Sequence, residues 1–395
     1  MRKLRVGSAL VTLGLALGGC GGGTEAAAPP TPSIDIAKLD SGNYPTTPTD
    51  LEATRVPTSG ALQEAIKIGA ATPFPFQYDP RFVFVTGASG GRHITQADPT
   101  YFSGAGIESK DFNAVIPGVV AGWQSSANRR DTSNAGRTVS TITLRFESAD
   151  QAKFAATELS NRTPGSPYQI PTYSEALVKV EDHRTDLPVQ NLRAWLPRGD
   201  MLLFIHVADW IGLPYDAAAD AVVAQKFFDK QIEMLRSYTP TPLRDISTLP
   251  LDHDGLLSHA LPTEAASRQK QGTSSAAVYP AQAVLHLEDN SQTMTAAYAD
   301  AGIDYVAFDT GSVYRTRDGS AATRFLAALD TVTLDDPDYM KAASPANLPT
   351  TNCFDADPSV KYNSVRPTCH GVFGRFTFGF SLHNLQYLHP RAGAP

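Results

Sequence analysis

The stretch from Gly371 to Leu382, GVFGRFTFGFSL, alternates apolar and polar residues with a period of two. Val372, Phe376, Phe378, Phe380 and Leu382 fall on one face, and Arg375, Thr377 and Ser381 fall on the other. Successive side chains of a strand point to opposite faces, so this pattern predicts an antiparallel sheet with one face buried. Val139 to Phe146 repeats it, with Ile142, Leu144 and Phe146 set against Thr143 and Arg145. Further strands are expected at Phe82 to Thr86, Ala176 to Val180 and Met201 to Val207, with a pair of strands joined by a turn in YVAFDTGSVYRTR from Tyr305.

Helical periods lie between these runs. Ala61 to Ile68 forms one, with Ser59 as its cap, and SQTMTAAYADAG from Ser291 forms another. Asp216 to Arg236 carries Ala221, Ala224, Phe228, Ile232 and Leu235 along one face. QAKFAATEL follows Ser148-Ala149-Asp150, and AATRFLAAL follows Asp318-Gly319-Ser320. Both follow a strand and a capping cluster, which points to a duplicated unit. The expected fold class is α+β: two lobes, each an antiparallel sheet with helices packed on one face.

The N-terminus constrains where such a body resides. Arg2, Lys3 and Arg5 precede an uncharged apolar run from Val6 to Leu17, which is a signal-peptide pattern. It ends in Leu17-Gly18-Gly19-Cys20, the small residues and cysteine of a lipobox, making Cys20 the expected lipidation site. Stable anchoring takes two lipid signals, and each buried methylene contributes about 0.8 kcal/mol. GGGTEAAAPPTPS after Cys20 is too poor in large side chains to order itself. The expected organisation is a signal peptide over 1–19, a flexible tether over 20–33, and α+β domains over 34–245 and 246–395. The boundary between the two α+β domains rests on the proline-punctuated stretch from Thr239 to Pro250.

Losing Arg2, Lys3 and Arg5 with the leader takes the formal net charge from −7 to −10. An acidic body argues against nucleic acid as a partner. Of three cysteines, Cys353 and Cys369 remain beyond the lipobox. In an oxidising compartment their default is a disulfide, worth about 3 kcal/mol for a loop of that length.

Three stretches together resemble a family of uncharacterised two-domain actinobacterial lipoproteins, domains of unknown function with an N-terminal and a C-terminal part. They are IDIAKLDSGNYPTTP from Ile34, ALQEAIKIGAATPFPFQYDPRFVF from Ala61, and CHGVFGRFTFGFSLHNLQYLHPRAGAP from Cys369. The resemblance implies an envelope lipoprotein and brings no catalytic residues. It also implies a final helix running on past Pro395, and so a short last element here.

Four clusters are weighed as chemistry. FVFVTGASGGRH from Phe82 looks like a dinucleotide turn, but His93 replaces the last glycine, and no tyrosine has a lysine four residues later. Read as G-x-S-x-G, it makes Ser89 the nucleophile of an exported serine hydrolase, which requires a helix directly afterwards. Asp98-Pro99 follows too soon for one. Asp309-Thr310-Gly311-Ser312 resembles an aspartic-protease loop whose second carboxylate would be Asp40, yet it also reads as a turn. Asp252-His253-Asp254 with His259 reads as a solvated loop rather than a metal site, and His383 and His389 read as structural. Trp123, Trp195 and Trp210 are expected in the core or at its rim.

The expectation is therefore a lipid-anchored cell-envelope protein, exported and held on the outer face of the cell membrane through Cys20. It acts as a non-enzymatic binding or scaffold protein for an envelope protein or ligand, without a cofactor. The alternatives are the serine hydrolase using Ser89, and a solute- or lipid-binding protein with its site between the lobes.

Overall fold

The computed structural model describes residues 34–35, 38–39, 46–86, 92–100, 102, 105–132, 134–183, 187–262, 276–288, 290–345, 347–360 and 365–381. Among the described residues, eight antiparallel strands form the first sheet: β1 (Phe84–Val85), β2 (His93–Ile94), β3 (Val119–Asn128), β4 (Arg137–Phe146), β5 (Ser166–Tyr168), β6 (Leu177–His183), β7 (Val189–Arg198) and β8 (Met201–Asp209). Their order is β1-β3-β4-β8-β7-β6-β5, with β2 also paired to β3. The second sheet has seven among the described residues: β9 (Ala277–Pro280), β10 (Tyr305–Phe308), β11 (Gly311–Arg315), β12 (Tyr339–Ala342), β13 (Thr351–Ala356), β14 (Thr368–Phe373) and β15 (Phe376–Ser381). These run in the order β12-β13-β14-β15-β11-β10-β9. The helices are α1 (Ser59–Ala70), α2 (Pro75–Tyr78), α3 (Phe112–Val115), α4 (Ala149–Arg162), α5 (Ala217–Leu235), α6 (Ala281–Val284), α7 (Ser291–Ala301) and α8 (Gly319–Asp335). The class is α+β in two lobes.

The two sheets follow one plan. Strands β3 and β4 form a hairpin, α4 follows, and β5 to β8 return as a meander whose last strand pairs with β4. The segment β10, β11, α8 and β12 to β15 does the same, with β15 closing on β11. The helix starts correspond as well. Ser148 Oγ accepts the Gln151 amide at 3.3 Å, and Asp318 Oδ1 accepts that of Ala321 at 2.8 Å. This is the duplicated unit that the two capped helices announce.

The sequence reading placed helices on one face of each sheet. That describes the C-terminal sheet, whereas the N-terminal sheet carries a second helical layer. On one side Ile142, Leu144, Phe146 and Phe204 pack with Ala152, Ala155 and Leu159 of α4. On the other, Leu203, Ile205 and Val207 pack with Leu62 and Ile66 of α1 and Phe227 and Phe228 of α5. Thr143 and Arg145, expected to face water, lie beneath that second layer: Thr143 donates to Gln231 at 2.9 Å and Arg145 to Glu64 at 2.7 Å. Strands β3 and β7 lack a clean alternation for the same reason, since both of their faces are covered.

Around Gly371 to Leu382 the expected faces are inverted. Gly374 (φ +56°) and Arg375 turn the chain between β14 and β15, so Val372 pairs with Thr377 and shares its face. That face lies under α8, where Thr377 Oγ1 donates to the Ala322 carbonyl at 3.1 Å and Val372 packs on Ala322 and Leu326. Phe378 and Phe380 point the other way, to Leu261 of the connecting segment, and Phe373 is exposed. Leu382 lies outside the described residues.

Smaller departures concern ends. Ser59 is the first helical residue, and its Oγ accepts the Val56 amide at 3.0 Å. Of Phe82 to Thr86, only Phe84 and Val85 pair, at the edge of the sheet; Phe82 is core, under the Arg129 guanidinium at 4.6 Å.

One hydrophobic core spans both lobes. It joins Ile66, Trp123 and Phe227 to Tyr279, Val284, Val306 and Phe325. Among the described residues no helix is long and apolar enough to cross a membrane.

Candidate functional site

Most of the sequence candidates resolve into structural roles. Cys353 and Cys369 face each other across β13 and β14 and form a disulfide. Cys20, Ser89, Asp40, His383 and His389 lie outside the described residues. A nucleophile elbow at Ser89 requires a helix next, but His93 and Ile94 form β2, paired to Trp123 and Gly122. Asp309 to Gly311 makes the turn between β10 and β11, with the Thr310 amide donating to the Leu261 carbonyl at 3.2 Å. Asp252 caps its own loop by accepting the amides of His253, Leu257 and Ser258, while Asp254 pairs with Arg315 at 2.8 Å. Among the described residues no cluster of three or more His, Cys, Asp and Glu side chains is placed to hold a metal ion. Trp123 and Trp195 are buried core, and Trp210 is half-buried.

The lobe junction is packed. His286, buried, shares hydrogen bonds with Ser125 Oγ and the Thr72 carbonyl, both at 3.1 Å, and its ring lies tilted against Phe74 and edge-on to Trp123. Arg92 Nε donates to the His286 carbonyl at 3.0 Å. Burial, with the Arg92 charge beside it, pushes the His286 imidazole down to about 3, so it stays neutral. Around His286 these groups fill the space that a solute site between the lobes would need.

Two further polar clusters tie elements together. Glu64 of α1 accepts from Arg145, Tyr238 and Thr241, and Lys67 lies 3.3 Å away. Burial alone would raise its carboxyl, but the bonds from Thr241 and Tyr238 outweigh burial and hold it below the usual range. Asp330 of α8 meets His370 at 3.2 Å and Asn352 at 2.5 Å, fastening the helix to β14 and β13.

An exposed apolar segment lies where β8 leaves the sheet. Trp210-Ile211-Gly212-Leu213-Pro214-Tyr215 contains no charge, and it joins β8 to α5. Ile211 is 59% exposed and Leu213 71%, with Leu187 at 60% before β7 and Val222 at 50% on α5. Register brings the base of the loop beside the segment that leads into β7, because Asp209 pairs with both Arg137 and Gln190. Isolated exposed apolar residues need no explanation, whereas grouped ones mark contact surfaces.

Beneath the loop sits a buried ionic cluster. Asp209 Oδ1 accepts the amides of Ile211 at 3.1 Å and Gly212 at 2.9 Å. Its Oδ2 takes Arg137 Nε at 2.9 Å, and the same Nε is 2.9 Å from Asp220 Oδ1. Close by, Asp79 pairs with Arg81 and Arg129, and these bonds overcome burial to draw its carboxyl down to about 2. The sequence gives little warning of this cluster. Asp220 looks like an exposed residue in the first turn of a helix, and only the asparagine-poor, charge-free run WIGLPY between two aspartates stands out.

Comparison with known proteins bears on family alone. No curated protein matches the chain. The extracellular domain of PknH from Mycobacterium tuberculosis aligns at 15% identity over 33% of this chain and 74% of that one, with a TM-score of 0.25, a likeness that carries no argument about fold or function. A model described as a domain of unknown function (DUF7373), N-terminal, matches residues 51–251, and its C-terminal counterpart matches 256–394. With more than half of its length covered by these two models, the chain belongs to the DUF7373 family.

Proposed function

We propose that this protein is a lipid-anchored component of the cell envelope, exported and held on the outer face of the membrane by lipid on Cys20, whose body binds another envelope component without catalysing a reaction. The carrying observation is the uncharged, exposed loop Ile211–Pro214, seated on a buried ionic cluster at one end of the larger sheet. A rigid seat lowers the ordering cost of a contact, and grouped apolar residues supply its driving force. The lipobox around Cys20 supports the anchor, and the acidic body weighs against nucleic acid. The hydrolase alternative is not favoured, because the strand at His93–Ile94 stands where an elbow needs its helix.

Photo-crosslinking in intact cells tests the binding role. A photoreactive residue at position 213 is expected to give a discrete adduct, absent when the same group replaces exposed Phe154 on α4. No adduct at 213, or an identical pattern from both positions, would argue against this surface. Labelling by a fluorophosphonate that Ser89→Ala abolishes would instead establish the hydrolase.

A further inference from the structure

We propose that Asp220 is held protonated beside Asp209 and Arg137, and that loss of this proton loosens the apolar loop Ile211–Pro214 from the end of the sheet. The inference goes beyond the binding role, since it concerns what sets the surface in place.

One N–H cannot point at two acceptors. Arg137 Nε makes its hydrogen bond to Asp209 Oδ2, and Arg137 Nη2 lies 2.9 Å from the same oxygen. Asp220 is left within ion-pair distance of Nε, yet neither of its oxygens has a hydrogen-bond partner, and the residue is 0% exposed. A buried carboxylate without hydrogen bonds is among the costliest groups a core can hold, and taking up a proton removes the charge. The groups facing it are Arg137 from β4, Asp209 from β8, Arg129 at the end of β3 and Asp216 at the start of α5. Arg129 is itself engaged by Asp79, which also holds Arg81. Burial dominates, with Asp209 and Asp216 acting in the same direction, and brings Asp220 up to about 7 against the two arginines.

The coupling to the loop is direct. While Asp220 is neutral, Arg137 serves Asp209 alone, and Asp209 Oδ1 holds the Ile211 and Gly212 amides. When the proton passes to solvent, Asp220 becomes a second anion that competes for Arg137 and repels Asp209. The carboxylate seating the loop then loses its counter-charge and shifts. Acidic conditions keep the apolar loop seated, and it is released progressively as pH rises through neutrality.

The test uses the full chain, titrated from about pH 5 to about pH 9. The Asp220 carboxyl carbon is followed by NMR, and exchange protection of the Ile211 and Gly212 amides is corrected for intrinsic rates. The expected result is an Asp220 titration near neutrality, accompanied by a several-fold fall in protection of both amides, while mid-strand amides such as that of Ile205 stay constant. Asp220→Asn should hold the loop at its acid-side protection throughout. An Asp220 carbon that titrates in the ordinary carboxylate range would overturn the proposal. So would flat protection in the wild type, or an undiminished pH dependence in Asp220→Asn. Should that variant fail to fold, the wild-type carboxyl titration and amide exchange decide the matter.

Discussion

Single residues in this protein matter where a side chain is buried against its chemistry. Asp220 takes up its proton more readily folded than unfolded, because its folded pKa of about 7 lies above the ordinary value of 3.8. Its contribution is therefore complete at acid pH and is lost as pH rises toward neutrality, at ~1.4 kcal/mol per unit, on the order of 4 kcal/mol in all. Asp220→Asn removes this term, so its melting temperature relative to wild type should rise between about pH 4 and about pH 7 and level off above. A constant difference would contradict the assignment. Gly212 is equally constrained: a Cβ there would collide with the Asp209 carboxylate. Gly212→Ala should cost about 1–3 kcal/mol, read as a lower urea midpoint with an unchanged slope. Neither residue could be singled out from sequence. An aspartate four positions into a helix usually faces water, and only the strand register brings Arg137 beneath it.

Elements were more legible than their surroundings. The alternation at Val139 to Phe146 and the capped helices after Ser148 and Asp318 predict real secondary structure, and from them the duplicated plan follows. What alternation cannot reveal is which face is covered. Thr377 is buried under α8 while Phe373, in the apolar set by composition, is exposed, because a short turn at Gly374 exchanges the faces of β14 and β15. Covered polar residues such as Thr143 look like surface until the partner helix is known. Within the second sheet the disulfide joins adjacent strands. Replacing both cysteines by serine should lower unfolding stability by about 3 kcal/mol, measured by denaturant titration, without abolishing the fold. A loss near zero would mean that strand pairing alone closes this loop in the unfolded chain.

At the scale of the molecule, the lobes are two copies of one topology that bury a common core. Trp123 packs against Tyr279 and His286 of the other lobe, so neither sheet has a complete interior alone. Thermal unfolding should accordingly be a single transition with equal calorimetric and van't Hoff enthalpies, and two resolved transitions would separate what the core unites. The two-lobed class was legible because strand and helix patterns recur along the chain; the shared core was not, since contacts such as Arg92 to His286 connect residues far apart in sequence. The candidate surface was legible only as an uncharged hexapeptide. The proposal that this body works while tethered by lipid at Cys20 is checked by fractionating cells that carry Cys20→Ala. The wild type should sediment with membranes and the variant should appear in the soluble exported fraction; an unchanged membrane distribution of the variant would contradict the claim.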